Sequence, residues 1–308
     1  MGSFSSKTIK LAIVGFPAIF QLVCYMVFIN VGDYRQPCSS TNNNCFCESN
    51  SNNISIIHQP SNTNTCIFYI VAGLLNSYYY YFYYYDFKWT HKVDIVLIPS
   101  LTCLVGLMSM FYHAYTTTWA SKMDGFGMYS YGTYMMGIIL ARLITSRAKK
   151  NIVNYVTVQY ATSTLLFILF VLLDFLTSDD VRDYTFGGFI IVFCILGLMN
   201  YVYLIIILLE PNLMLKLCYP ISMTCLVIGF IFYTIEPYVY CYPTSFYQNH
   251  SMWHFFTALA FFFLNMDYFI TQNYFNVFDG SNKTLHNKKN GNVHSVGGGW
   301  NEVTKSFI

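Results

Sequence analysis

The feature that most constrains this chain is a series of long apolar runs. Each run is close to the ~20 residues that cross a ~30 Å hydrocarbon layer as a helix. The runs lie at 9–31, 66–86, 94–115, 124–145, 153–174, 187–209, 213–235 and 252–275. They are too long, and alternate too little between apolar and polar residues, to be strands of a membrane barrel. The sequence therefore predicts an all-α polytopic membrane protein, because a helix satisfies its own backbone polar groups in lipid.

Composition supports this fold class and excludes others. Hydrophobic residues make up 55% of the chain and charged residues only 10%, whereas a soluble domain carries about 25% charged residues. Such a chain has too few charges to cover a water-facing surface, and it is too apolar to be disordered throughout. The net charge of +2 and the absence of a basic stripe indicate that nucleic acid is not a partner.

The positive charges predict the orientation of the helices. With eight crossings both termini lie on the same side of the membrane. Of the 16 Lys and Arg residues, only Arg35, Lys122 and Arg182 fall on the opposite side. Because cytosolic loops carry the excess of Lys and Arg, both termini are predicted to be cytosolic.

The runs divide the chain into four regions. Residues 1–31 form a cytosolic stub and an anchor helix, and 32–65 form a polar loop in the lumen or outside the cell. A seven-helix core follows over 66–275. The tail over 276–308 is rich in Asn and Gly, lacks an apolar period and is predicted to be disordered. The first run exceeds the apolar core of a cleaved signal peptide, which favours an uncleaved anchor over that alternative.

The polar loop fits an oxidising compartment. It contains or borders four cysteines, which are Cys38, Cys45, Cys47 and Cys66. Asn53 begins an Asn-Ile-Ser sequon, which predicts a glycosylation site. Disulfides are expected among cysteines that face the lumen or the exterior, although their pairing does not follow from sequence.

Five polar residues are predicted to meet at the outer side of the membrane. Ser109 and His113 lie four residues apart near the outer end of their run, and His250 and His254 repeat this spacing at the start of the last run. Residues four apart share one helix face. Asp124 opens the run after His113, again on the outer side. Ionisable residues within a membrane are functional candidates because they are costly to place there.

Three imidazoles and a carboxylate predict metal chemistry. Two His at i and i+4 suit one metal ion, and catalytic zinc takes three protein ligands and leaves a fourth position for water. The metal lowers the pKa of that water towards ~7. Asp124 suits the role of proton acceptor, and Ser109 suits a hydrogen bond to the water or to a developing oxyanion. The set predicts a metal-assisted hydrolase.

Each of these residues also has a structural interpretation. A single intramembrane His or Ser often serves helix–helix packing, and an Asp at the start of a helix often caps it. Bis-His haem ligation requires facing His on different helices, and His250 and His254, one turn apart on one helix, fit it poorly. Within the last run, Asn265 and Asp267 are predicted to face the bundle interior, with no role assigned.

The five residues also match a family pattern. The chain resembles the CREST superfamily of seven-helix membrane hydrolases, in particular the alkaline ceramidases. The resemblance lies in three places along the chain, which are Ser109 to His113, Asp124, and His250 to His254. The resemblance implies that His113, His250 and His254 bind zinc. It also implies that Ser109 and Asp124 attend the water.

Other segments are similar to different branches of that superfamily. The resemblance covers about residues 66–275, so the first run is additional. The segment Gly229 to Glu236, followed by Cys241, is similar to the penultimate helix and turn of the ceramidases. The segments Tyr112 to Ala114 and Lys122 to Asp124 are also similar to GPI-anchor lipid hydrolases and myomaker-like proteins.

The calcium site of the ceramidase branch is matched incompletely. Cys47 to Asn50 resembles its calcium-binding stretch. Cys45 and Gly73, however, stand where that branch has acidic residues, and Gly125 rather than an acid follows Asp124. These departures argue against a calcium site.

The sequence therefore predicts zinc-dependent hydrolysis of a lipid amide drawn from the bilayer, with a ceramide-like substrate that yields a fatty acid and a sphingoid base. One alternative is acyl-ester hydrolysis, of the phospholipase A2 type, on a GPI-anchor lipid. Another is a non-catalytic seven-helix receptor or structural membrane protein with a zinc site, in which Cys241 is a candidate fourth ligand. The predicted location is the endoplasmic reticulum, Golgi or plasma membrane, with the site facing the lumen or exterior.

Overall fold

The computed structural model describes residues 57, 59–83, 92–147, 152–176, 179–207, 213–235 and 248–289. Within these residues the only regular secondary structure is helix, so the predicted all-α class is confirmed for this part of the chain. The helices are α1 (Pro60–Thr65), α2 (Ile67–Tyr83), α3 (Lys92–Tyr115), α4 (Thr118–Arg147), α5 (Ile152–Leu176), α6 (Asp179–Ile207), α7 (Leu213–Ile235) and α8 (Asn249–Lys289).

Each apolar run from 66–86 onward coincides with one helix, from α2 to α8. Four helical segments are long and apolar enough to cross a membrane: Val93–Tyr115, Tyr155–Leu176, Thr185–Ile205 and Leu217–Ile235. These support a membrane protein, while the total of eight crossings stays a prediction. The run 9–31 lies outside the described residues, as does the sequon at Asn53.

The structure differs from the sequence prediction at both ends of the core. Residues Pro60–Thr65, predicted as part of a polar loop, form α1. Proline at the first helical position suits the start of a helix. The next three residues, Ser61, Asn62 and Thr63, are buried inside the protein rather than solvated. At the other end α8 continues to Lys289, beyond the predicted boundary at 275, since no proline interrupts the chain there.

The outer helices and the central helix have different surfaces. On α5 and α6, large apolar side chains point outward, with Leu165 70% exposed and Leu198 58% exposed. Apolar surface on this scale suits contact with lipid rather than water. On α4, by contrast, Tyr131, Met136 and Ile138 are buried in the main core. The bundle is therefore arranged around α4.

A glycine permits close packing of the central helix. At Gly137 of α4, a Cβ atom would overlap the side chain of Ser163 on α5. Small residues allow membrane helices to approach in this way. On another face of α4, Tyr131 stacks on Phe261 of α8 with ring centroids 4.0 Å apart. These contacts fix α4 relative to α5 and α8.

A two-residue turn joins α3 to α4 at the predicted site. Thr116 adopts φ 47°, a left-handed conformation that is strained for a β-branched residue. Its amide donates to the carbonyl of Tyr112 at 2.6 Å. Thr117 then caps α4, because its hydroxyl accepts from the amide of Ala120 at 3.1 Å. The turn keeps the start of α4 next to the histidine-bearing end of α3.

Candidate metal centre

The structure brings three histidines from two helices together. His113 lies in the last turn of α3 and His250 and His254 in the first turns of α8. The ring centroids are 4.8 Å apart for His113 and His250, 4.9 Å for His113 and His254, and 4.6 Å for His250 and His254. All three are buried. The spacing of four residues places both α8 rings on the face that meets α3.

Two imidazole nitrogens point at each other. His113 Nε2 and His250 Nε2 are 3.1 Å apart. Nitrogens that each lie 2.0–2.1 Å from a tetrahedral zinc ion are roughly 3.3 Å apart. The observed separation is therefore close to that of two ligands on one metal ion.

The third imidazole contacts the predicted serine. His254 Nε2 lies 3.3 Å from Ser109 Oγ, and Ser109 is buried on the same face of α3 as His113. Asp124 is half-buried near the start of α4, and its charge acts on Cys66 and Tyr69. The structure thus places the predicted carboxylate within electrostatic range of the thiol beside His254.

Cys66 also belongs to the centre, although it was not among the metal ligands predicted from the sequence. Its Sγ lies 3.5 Å from His254 Nδ1. Cys66, His113 and His254 form a group whose ligand atoms all lie within 4.8 Å of one another, and this group could hold a metal ion. His250 is outside that group but joins it through His113. The chain therefore offers two overlapping ligand sets that share His113 and His254.

The position of Cys66 corrects the expectation of a disulfide there. Cys66 is a buried free thiol between α1 and α2, whereas Cys38, Cys45 and Cys47 are not among the described residues. A glycine on α3 makes room for this junction. At Gly106 a Cβ would lie 2.9 Å from the carbonyl oxygen of Cys66, so a larger residue there would push the thiol away from the histidines.

Two further residues contact the far sides of the rings. Gln59 Oε1 lies 2.7 Å from His113 Nδ1, and Thr65 Oγ1 lies 3.1 Å from His254 Nδ1. Gln59 immediately precedes α1 and Thr65 is its last residue. Both were predicted to lie in a polar loop. The sequence signal that could have found them is their place just before an apolar run, on the side of the membrane where the histidines were predicted.

Aromatic side chains pack against the N-terminal end of α8. The ring centroid of Tyr233 lies 6.0 Å from that of His250 and 5.5 Å from that of Trp253. Phe186 on α6 lies 6.2 Å from Trp253. After it come Gly187 and Gly188, where an added Cβ would meet no atom within 4 Å. One side of the centre is therefore aromatic, with open space beside α6.

The space for a calcium site is limited within the described helices. Gly73 stands on α2 where the ceramidase branch has an acid, and an added Cβ there would overlap Cys103 Sγ. An acidic side chain does not fit at this position without a shift of α3. The stretch Cys45 to Asn50 falls outside the described part of the chain, so the expected absence of calcium stays a prediction.

No protein-family model matches the chain, and no curated protein matches it. The functional argument therefore depends on the residues of this centre.

Proposed function

We propose that the chain is a membrane-embedded, zinc-dependent hydrolase that cleaves the amide bond of a ceramide-like lipid. The observation that supports this most is the 3.1 Å approach of His113 Nε2 to His250 Nε2, with His254 beside both rings. Zinc prefers nitrogen and sulfur ligands, and those are the donors gathered here. His113, His250 and His254 would hold the ion.

The reaction assigns one task to each remaining polar residue. When bound, zinc would act as a Lewis acid and make a water molecule acidic near neutral pH. Asp124 accepts a proton from the water as its oxygen bonds to the acyl carbon. Ser109 donates a hydrogen bond to the oxygen that develops negative charge. As the carbon–nitrogen bond breaks, the proton passes from Asp124 to the leaving amine, which gives a fatty acid and an amine.

The surroundings of the centre favour a lipid substrate. The apolar outward faces of α5 and α6 support a bilayer environment. The ring of Tyr233 adjoins His250, and the rings of Phe186 and Trp253 contact that of Tyr233. Ligand sites are usually apolar with a few polar groups that orient the ligand. An acyl chain would lie along the aromatic side, with its carbonyl next to the histidines.

The proposed setting follows the distribution of positive charge. Both termini lie in the cytosol, and the centre faces the lumen of the endoplasmic reticulum or Golgi, or the cell exterior. Asn53 would be glycosylated on that same side.

A second candidate function is favoured by Cys66. Structural zinc sites are usually closed by four protein ligands, and Cys66 would make a fourth beside the three histidines. In that case the centre ties α2, α3 and α8 together in a receptor or structural protein. Cys241, the candidate fourth ligand named from the sequence, lies outside the described residues and stays a prediction.

The test is zinc content and hydrolysis measured on the same samples. The full chain is purified in detergent without chelator, beside His250→Ala, His254→Ala and the control His286→Ala. About one zinc per chain, with fatty acid released from labelled ceramide, is expected in the wild type and the control. Both properties are expected to be lost in the two site variants.

Other results point to other functions. Zinc with release of an acyl ester from a GPI-anchor lipid, and none from ceramide, would indicate the esterase. Zinc without hydrolysis of either lipid would indicate the structural site. Wild-type protein without zinc would contradict the metal centre itself.

A further inference from the structure

We propose that α1 and its flanking residues form the outer coordination shell of the centre, with Gln59 and Thr65 as positioning residues that make His113 and His254 present Nε2 to the metal. This inference rests on the zinc site proposed above. It adds a role for a segment that was predicted to be a solvated loop.

The first step concerns Gln59 and His113. The side-chain oxygen of Gln59 lies 2.7 Å from His113 Nδ1. An amide oxygen only accepts hydrogen bonds, so His113 Nδ1 carries the proton. His113 Nε2 then carries the lone pair, and that is the atom which approaches His250 Nε2. Gln59 thereby selects the tautomer that can bind a metal through Nε2.

The second step concerns Thr65 and His254, and it uses a different hydrogen bond. Thr65 donates its single hydroxyl proton to the carbonyl oxygen of Asn62 at 3.0 Å. Its Oγ1 can therefore only accept from His254 Nδ1, which lies 3.1 Å away. His254 Nδ1 carries its proton, and Nε2 is left with a lone pair on the side of Ser109. Both rings are thus prepared in the same tautomer by residues at the two ends of α1.

The third step is that α1 is attached to both ligand-bearing helices. The amide of Gln59 donates to the carbonyl of His113 at 3.1 Å. On α8, Ser251 lies between the two histidines of that helix. It donates to Asn62 Oδ1 at 2.8 Å, and its hydroxyl is 3.0 Å from that of Ser61. These bonds fix Gln59 and Thr65 relative to the rings that they orient.

The chemistry agrees with the general behaviour of metal-binding histidines. A ligating His usually donates its other ring N–H to an oxygen, which fixes its orientation and raises its basicity as a ligand. Here an amide oxygen and a hydroxyl serve two of the three rings. The oxygens come from one short segment, so a change in α1 would alter both ligands together.

The experiment measures zinc affinity of the detergent-purified full chain by competition with a chromogenic chelator. Loss of an outer-shell partner typically weakens metal binding by about 10–100-fold, and that loss is expected in Gln59→Leu and in Thr65→Val. Gln59→Glu and Thr65→Ser keep an acceptor oxygen, so they are expected to recover most of the affinity. Gln159→Leu is the matched control, because it removes a buried glutamine far from the centre.

The same variants separate this inference from the proposed function through ceramide hydrolysis. If the affinity falls and recovers as described but no variant or wild type cleaves lipid, the positioning role stands and the hydrolase is contradicted. If Gln59→Leu and Thr65→Val bind zinc like the wild type while His113→Ala does not, the positioning role is overturned and the hydrolase is unaffected. If the zinc affinity of Gln59→Leu and Thr65→Val falls only as far as that of the control Gln159→Leu, the positioning role is also overturned.

Discussion

Two buried polar clusters lie at opposite ends of α3 and are built in different ways. At one end is the metal centre around His113. At the other end is Asp94, in the first turn of α3. Asp94 accepts hydrogen bonds from the hydroxyls of Tyr134 and Tyr268 and from Gln159 Nε2. We call this second set the Asp94 cluster.

The Asp94 cluster is complete without a ligand. Its carboxylate receives three donors from α4, α5 and α8, at 2.5 Å from Tyr268 and 3.0 Å from Gln159, and Gln159 also contacts the hydroxyl of Tyr134 at 3.2 Å. Donors and acceptors match, so the cluster holds four helices together. In the metal centre, His113 Nε2 and His250 Nε2 approach to 3.1 Å instead. Matched donors and acceptors indicate a structural role, whereas two imidazole nitrogens at this separation are spaced like two ligands of one metal ion.

Of the two polar residues predicted to face the bundle interior from the last run, Asn265 has matched hydrogen-bond partners like those of the Asp94 cluster. Asn265 and Asp267 are buried, as predicted from their place in that run. Asn265 accepts from Tyr131 at 2.8 Å and donates to Thr102 at 3.1 Å. On α4, Arg142 Nη1 donates to Asn200 Oδ1 of α6 at 3.2 Å.

The largest expected difference between the clusters is in stability. Asp94→Ala leaves three buried donors without this acceptor, and each costs about 1–3 kcal/mol, so a loss of at least about 3 kcal/mol is expected. Zinc affinity of the protein that remains folded is expected to be unchanged. Denaturant unfolding in detergent and chelator competition measure the two quantities. A Ser130→Ala variant on α4 controls for loss of a half-buried hydroxyl. Reduced zinc affinity in Asp94→Ala would show that the clusters are coupled.

Removal of zinc is expected to have a smaller effect, confined to the metal centre. A ligand at 100 times its Kd stabilises the folded state by about 2.7 kcal/mol. Dialysis against chelator should therefore lower the Tm, and zinc should restore it. The shift is expected to be absent in His254→Ala and preserved in Gln159→Leu. An equal shift in His254→Ala would place the responsible ion elsewhere.

The smallest expected effect is that of Cys66→Ser, which decides between the two functions of the centre. If three histidines hold the ion, the thiol is a neighbour, and zinc affinity should change by less than about tenfold, or 1.4 kcal/mol. Cys103→Ser, in which the altered thiol is also buried, is the control. A larger loss in Cys66→Ser alone would indicate a fourth ligand and favour the structural site.

The helices follow from the sequence because their cause is local. Long apolar runs become helices in lipid whatever their neighbours are, and the pairs Ser109 with His113 and His250 with His254 share a face through the 3.6-residue period alone. The side of the membrane is predicted from the charges. Together these features were enough to predict that the three histidines meet, and the structure places them side by side.

Two features of the centre, the buried helix α1 and the position of Cys66, were decided only by the tertiary structure because they depend on contacts between distant segments. The segment Pro60–Thr65 is as polar as a solvated loop, and its burial exists only because Ser251 and His113 supply partners to Asn62 and Gln59. The same holds for the Cys66 thiol, which meets His254 only when α2 packs beside α8. From sequence alone, a polar side chain is predicted to be exposed to solvent unless its hydrogen-bond partner is known. Those partners are determined by the packing of helices rather than by local sequence.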